Sequence, residues 1–198
     1  MMNLFPFYED IEGKLFLIIG GGPVARHKLC VLRQFTDRIT VLAEQTDISE
    51  VPVIRKRFSP EDLEPADYVI AATGFPETDR EISELCRAAG KKVNVPDQAE
   101  LCSFFFPAIL KRGPLVLSVS TCGTSPAYAR ELKEKAAEAV PSDIEEILDR
   151  MSEVRTWVPS LLVSQKARAA LYRWLLGELT DGRCVTDGEI RKKADELK

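Results

Sequence analysis

Three short stretches of this 198-residue chain hold residue types whose spacing suits chemistry. The first is Gly20-Gly21-Gly22-Pro23-Val24-Ala25, a G-x-G-x-x-A pattern placed directly between the apolar run Leu15–Ile19 and a helical pattern. In that setting Gly20 permits a tight turn, Gly22 lets a pyrophosphate approach the backbone, Ala25 lets helix and strand pack closely, and the helix N-terminus favours an anion. A dinucleotide fits best; a structural glycine turn and a nucleoside cofactor such as S-adenosylmethionine are the alternatives. A dinucleotide ribose asks for an acid about 20 residues on, and Glu44 stands there, although an ordinary solvated strand end reads the same way. No arginine follows it directly, which favours NAD over NADP, while Arg38 and Arg55 remain able to fold toward the site.

The second stretch is Asn94-Val95-Pro96-Asp97, just after a predicted strand. Asp97 reads either as a turn-former after Pro96 or as a general base that takes a proton from a substrate while a nicotinamide takes a hydride. The third is Ser120-Thr121-Cys122-Gly123-Thr124-Ser125-Pro126, a polar link from strand to helix. It serves either as a cap, with Ser125 or Thr124 at the N-cap and Pro126 in the first turn, or as a seat for a phosphate or carboxylate, with Arg130 and Lys133 adding charge. Lys111 and Arg112 are readable as a solvated turn or as an anion contact, and Cys122 as a small packed thiol or, if exposed at the helix start, a reactive one.

Composition narrows the field. The only histidine is His27, inside the first predicted helix, so a zinc site of paired histidines is excluded and no metal site is expected. A net charge of −4 lacks the basic field of a nucleic-acid binder. Five cysteines, odd in number and never in a C-x-x-C pair, argue against a disulfide framework. Apolar runs fall far short of the roughly 20 residues of a membrane span, and the acidic N-terminus lacks a basic signal region. A cytoplasmic, soluble protein with no membrane or nucleic-acid partner is the expectation.

The elements that must position these residues follow from periodicity. Strands are predicted at Leu15–Ile19, Ile39–Ala43, Val51–Phe58, Tyr68–Ala72 and Lys92–Val95, with helices after Pro23 and over Pro76–Ala89. Lys28 lies on the apolar stripe of the first helix, its stem able to pass along that stripe. This is the pattern of an α/β, Rossmann-like, mostly parallel sheet. Ser103–Leu110 and Leu115–Thr121 then read as an antiparallel pair joined through Lys111-Arg112-Gly113-Pro114. A helix to about Val140 and a helical remainder follow, with Leu161, Leu162, Leu171, Leu175 and Leu179 beside Trp157, Tyr172 and Trp174. The expected organisation is a nucleotide-binding domain over 1–113, a small α+β dimerisation segment over 114–142 and a helical domain over 143–198.

Several segments together resemble one family, the precorrin-2 dehydrogenases of siroheme synthesis, including the amino-terminal half of siroheme synthases. They are Phe5-Pro6-Phe7, Gly20 to Lys28, Ala71-Ala72-Thr73, Asn94 to Asp97, Cys102-Ser103-Phe104 with Phe106-Pro107-Ala108, Arg112-Gly113, and Thr121-Cys122-Gly123-Thr124-Ser125-Pro126. The resemblance implies NAD-dependent oxidation of precorrin-2 to sirohydrochlorin and, in some members, insertion of Fe²⁺. It implies that Asp97 is the acid/base residue, that Gly20, Gly22, Pro23, Val24, Glu44, Gln45 and Thr73 contact the cofactor, and that Asn94, Thr121, Gly123, Thr124 and Ser125 face the tetrapyrrole. It also implies a homodimer whose contacts come from the segment after Pro114, which would account for the apolar stripe of the last helices. Gly74, Phe75 and Asp79 stand where the family usually has acidic residues and an asparagine; Glu44 replaces a frequent proline and His27 a frequent arginine. A non-catalytic NAD- or tetrapyrrole-sensing module is the competing reading.

Overall fold

The computed structural model describes residues 4–198. β1 (Phe16–Ile19) is apolar at every position and buried on both faces, as a central strand of a parallel sheet requires. It pairs in parallel with β2 (Ile39–Leu42) on one side and β4 (Tyr68–Ala71) on the other. β3 (Val53–Ile54) extends the sheet beyond β2 and β5 (Lys92–Asn94) beyond β4, giving the order β3-β2-β1-β4-β5. The anticipated Rossmann-like α/β architecture is therefore present.

Side-chain alternation along the strands builds two cores. Phe16 and Ile18 join Ile39, Val41, Tyr68 and Ile70 under α1 (Pro23–Leu32), which contributes Ala25, Leu29 and Leu32. Leu17 and Ile19 join Leu42, Val69 and Val93 against α2 (Pro76–Ala88), which contributes Ile82 and Cys86. Full burial of each such aliphatic side chain is worth about 1.5–3 kcal/mol relative to exposure.

Two predicted strands are shorter than their patterns. Val51–Phe58 pairs with β2 only through Val53 and Ile54; exposed Arg55, Lys56 and Arg57 follow on this edge strand, where charge blunts further pairing. Ser103–Leu110 is extended as a strand only from Ala108. Ser103–Pro107 instead straps the first core. The Ser103 amide donates to the Val93 carbonyl at 2.8 Å, and Tyr68 and Phe104 meet edge to face with ring centroids 5.5 Å apart. Phe104 and Phe106 are also 5.5 Å apart. Aromatic packing against the sheet takes the place of strand pairing.

The chain forms two compact units, one holding residues up to Pro107 together with Thr121–Ser125, the other Ala108–Ser120 together with Pro126–Lys198. These divisions differ from the expected 1–113, 114–142 and 143–198. β6 (Ala108–Arg112) pairs over its whole length with β7 (Leu115–Val119), so no boundary falls at Gly113. Lys111 and Arg112 end the strand, and the loop is Gly113-Pro114 alone, with Gly113 at φ 52° as the first position of a primed hairpin turn demands. α3 (Pro126–Ala139) packs on this hairpin, and α4 (Ile144–Leu161) packs on β7 and on α5 (Gln165–Thr180), which makes one unit of the two expected segments.

α6 (Asp187–Asp195) completes the second unit behind a capping box of Thr186 and Glu189. Leu162, Leu171 and Leu175 pack with Val154, Val158 and Ile190, while Trp157, Leu161, Tyr172, Trp174 and Leu179 pack at the margin. The buried part of the apolar stripe is thus packed within the unit. The Arg112 guanidinium donates to the carbonyls of Ala137 at 3.3 Å and Val140 at 3.0 Å, so it caps the C-terminus of α3 and is not an anion contact. Among the described residues no helix is long and apolar enough to cross a membrane.

Burial beneath α2 pushes the Cys86 thiol up to about 11, whereas Cys30 and Cys184 are exposed. Mass-spectrometric mapping after brief iodoacetamide treatment of the native protein should find Cys30 and Cys184 alkylated and Cys86 alkylated only after denaturation. Equal labelling of Cys86 and Cys30 in the native state would show that the α2 face is open.

Candidate functional site

The carboxyl end of β1 turns into α1 through three glycines that do different work. Gly20 adopts φ 125°, and a Cβ there would lie 2.0 Å from the Ala72 carbonyl oxygen. A Cβ on Gly21 would lie 2.5 Å from the Gln45 carbonyl oxygen. Gly22 has an ordinary φ of −86°, and a Cβ there meets nothing within 4 Å. The first two glycines are required by neighbouring backbone; the third opens onto a space that a diphosphate would fill. Pro23 is the first residue of α1, no side chain caps the helix start, and its first turn holds no acid. Its leading amides are therefore available to an anion. Val24 beside them is 45% exposed. Thr46, which the sequence reading passed over, fastens this turn: its hydroxyl donates to the Gly21 carbonyl at 3.1 Å and accepts from the Ile48 amide at 3.1 Å.

At the end of β2, Glu44 and Gln45 are both exposed. Glu44 accepts from Arg57 Nε at 3.0 Å, and Arg55 donates to the Thr46 carbonyl at 3.3 Å. Arg38 lies at the opposite end of the strand, its carbonyl accepting from the Phe16 amide. Of the two arginines singled out from the sequence, Arg55 reaches this loop and Arg38 does not; Arg57 was missed.

After β4, the Thr73 amide and hydroxyl both donate to Asp79 Oδ1, at 3.0 and 2.8 Å, and the Phe75 amide donates to the Thr73 hydroxyl at 3.1 Å. Asp79 is buried and Gly74 turns at φ 81°. The departure from the family pattern at Gly74, Phe75 and Asp79 therefore builds a self-bonded turn, and the Thr73 donors point at Asp79. Nothing in the sequence pattern showed that pairing.

Asp97 follows β5, exposed and with φ 63°. Asn94, expected to face a substrate, is only 5% exposed; its amide donates to the Phe104 carbonyl at 3.0 Å, so it holds the strap. The Cys102 sulfur accepts from the Val95 amide at 3.2 Å, and burial pushes its thiol up. Thr121–Ser125 belongs to the same compact unit as Asp97, although β7 before it and α3 after it belong to the other. There the Thr121 hydroxyl accepts from the Ser125 amide at 3.0 Å, and Gly123 turns at φ 82° beside exposed Thr124. Arg130 and Lys133 lie on α3 in the second unit.

Among the described residues, the non-glycine residues with positive φ are Asp97 and Cys122. Left-handed backbone at such residues costs of order 1–3 kcal/mol and persists where the surroundings impose it, often at functional sites. Both fall in segments already singled out. A further residue emerges in Lys28, whose half-buried ammonium lies 4.4 Å from the centroid of the Phe106 ring and interacts with the charge of Asp97. Burial lowers its pKa. The available signal was a lysine on an apolar helix stripe with no carboxylate three or four residues away. His27 is exposed.

The chain is 35% identical over 150 residues to a siroheme synthase of Thioalkalivibrio sulfidiphilus, covering 71% of this chain and 30% of that protein. It is 32% identical over 184 residues to a siroheme synthase of Nitrosomonas europaea, covering 88% and 39%. It thus spans well under half the length of these curated relatives. A solved structure titled "SirC, precorrin-2 dehydrogenase" superposes with a TM-score of 0.75 over 98% of both chains at 22% identity, which shows a shared fold. Residues 7–108, 102 of the 198, match the family described as "Putative NAD(P)-binding". With the glycine turn, the uncapped start of α1 and the open space at Gly22 already in place, this match shows that the chain belongs to that NAD(P)-binding family.

Proposed function

We propose that the chain is an NAD-dependent dehydrogenase that oxidises precorrin-2 to sirohydrochlorin in siroheme biosynthesis. The observation that carries this reading is the coincidence of positive φ at Asp97 and at Cys122, in two separate segments of one compact unit that also contains the cofactor turn. The names of the siroheme synthase relatives and of the solved structure supply the substrate class.

In this reading Gly20, Gly22, Pro23 and Val24 form the seat, with the first-turn amides of α1 holding the pyrophosphate. Glu44, held by Arg57, and Gln45 meet the adenosine ribose. Bound NAD⁺ supplies the hydride acceptor. Asp97 takes the proton released as precorrin-2 gains conjugation, so that precorrin-2 and NAD⁺ give sirohydrochlorin, NADH and a proton. The Thr73 backbone limits the nicotinamide end, while Thr121, Gly123, Thr124 and Ser125 present polar groups to the substrate. Asn94 supports this face from behind by fixing the strap.

Fe²⁺ is proposed as a second substrate of the same face, with Asp97 removing pyrrole protons from sirohydrochlorin, because the relatives are named for siroheme. Five free thiols fit a reducing, cytoplasmic setting. A homodimer through the second unit is supported by Tyr128 and Leu132, which are 56% and 41% exposed on α3, and by a two-stranded sheet whose apolar residues are only half-buried. Sedimentation equilibrium should give twice the chain mass; a monomer at micromolar concentration removes the dimer.

Gly22→Ala should leave the melting temperature within a few degrees, because its Cβ enters open space, yet weaken NAD⁺ binding about tenfold or more by calorimetry. Unchanged binding would make the glycine turn purely structural. In an anaerobic assay, NADH absorbance should rise on mixing precorrin-2, NAD⁺ and protein, and Asp97→Asn should slow it about 100-fold or more. NAD⁺ binding without NADH formation would favour the sensing module. Sirohydrochlorin and Fe²⁺ added to the same protein should give siroheme faster than without it; equal rates remove the metal step alone.

A further inference from the structure

Lys28 has no part in the cofactor seat described above. It lies six residues beyond Gly22, which is about 9 Å along the axis of α1 and away from the amides that would hold a diphosphate. Its ammonium is half-buried over Phe106, with Nζ 4.4 Å from the ring centroid. No hydrogen bond or ion pair engages it among the described residues, so its three N–H donors are not spent on protein oxygens. The strap that carries Phe106 is anchored to β5, which leads to Asp97: the Val93 amide donates to the Ser103 hydroxyl and the Asn94 side-chain amide to the Phe104 carbonyl. Lys28 is thus held on one side by a fixed aromatic face, within electrostatic reach of Asp97 and Cys102.

The partly desolvated ammonium still reaches solvent and keeps its donors free of protein oxygens, so an arriving anion can meet it directly. The chain carries a net charge of −4, so an anionic substrate must find local positive charge, and Arg112, one of the basic groups near the site in sequence, is committed to the end of α3. We propose that Lys28 is a substrate-binding residue whose ammonium receives a carboxylate of the polycarboxylate tetrapyrrole and so places the ring to be oxidised against Asp97. This assignment rests on the dehydrogenase reading for the identity of the substrate. The ring of Phe106 holds the ammonium in place before the substrate arrives, so little side-chain entropy is lost on binding.

The test compares wild type with Lys28→Met, Lys28→Gln and Lys28→Arg, using sirohydrochlorin titrated by its absorbance change, precorrin-2 turnover, and NAD⁺ calorimetry. Both neutral variants should weaken sirohydrochlorin binding and raise KM for precorrin-2 by about tenfold or more, with NAD⁺ affinity within about threefold. Lys28→Arg should recover most of the tetrapyrrole affinity. Unchanged sirohydrochlorin affinity in both neutral variants overturns the assignment, as does equal loss of NAD⁺ and tetrapyrrole binding, the result of a merely structural role. The two readings separate cleanly. NADH formation with an unaltered KM in the variants overturns the role of Lys28 alone; a Lys28-dependent loss of sirohydrochlorin binding in a protein that forms no NADH overturns the dehydrogenase and leaves the anchor. Absence of any tetrapyrrole binding by wild type overturns both.

Discussion

The close approach of residue 20 to the Ala72 carbonyl is the constraint on which the site depends. A side chain at position 20 would occupy the space of that oxygen, so the end of β1 passes the end of β4 at backbone contact distance. The Ala72 amide donates to Ile19 and the Gly20 amide to Leu42, which joins three strand ends into one rim. From this rim the chain turns straight into α1, and the helix start is delivered uncapped to the carboxyl edge of the sheet. In a doubly wound sheet that edge, where the strand order reverses between β1 and β4, is where ligands bind.

The rest of the first unit serves to hold that rim still. Thr46 ties the β2 loop to Gly21, while Arg26 bridges α1 to Asp47 and Glu50 at 2.7 and 2.8 Å. Asp79 closes the loop after β4 from within α2. The Arg26 ion pairs are solvent-exposed and add little stability individually, whereas Asp79 is buried; the common effect of these bonds is to fix where backbone amides and carbonyls lie. The apolar cores on the two faces supply the stability that offsets left-handed backbone at Asp97 and Cys122.

Much of this was legible in the residues. Leu15–Ile19 and Tyr68–Ala72 are continuous apolar runs, which in a chain with alternating helices have few uses besides central parallel strands. The glycine spacing, Pro23 and Ala25 located the helix start and its packing face. Val51–Phe58 and Ser103–Pro107 were misread because alternation of apolar residues looks the same in a paired strand and in an edge or strap that packs by one face. The hairpin boundary at Gly113 was misplaced because a turn signal marks where a chain reverses and not where a compact unit ends. Asn94, Thr73 and Lys28 show the harder limit. Their side chains are directed by partners distant in sequence, Phe104, Asp79 and Phe106, and no local pattern names such partners.

The proposed dehydrogenase requires the start of α1 to hold the pyrophosphate and the end of β5 to bring Asp97 to the nicotinamide. A crystal structure of the protein soaked with NAD⁺ tests this most directly. The expected result is phosphate oxygens on the amides of the first turn of α1, with the nicotinamide ring turned toward Asp97. A dinucleotide bound elsewhere, or one seated at α1 with its nicotinamide directed away from the end of β5, would contradict it.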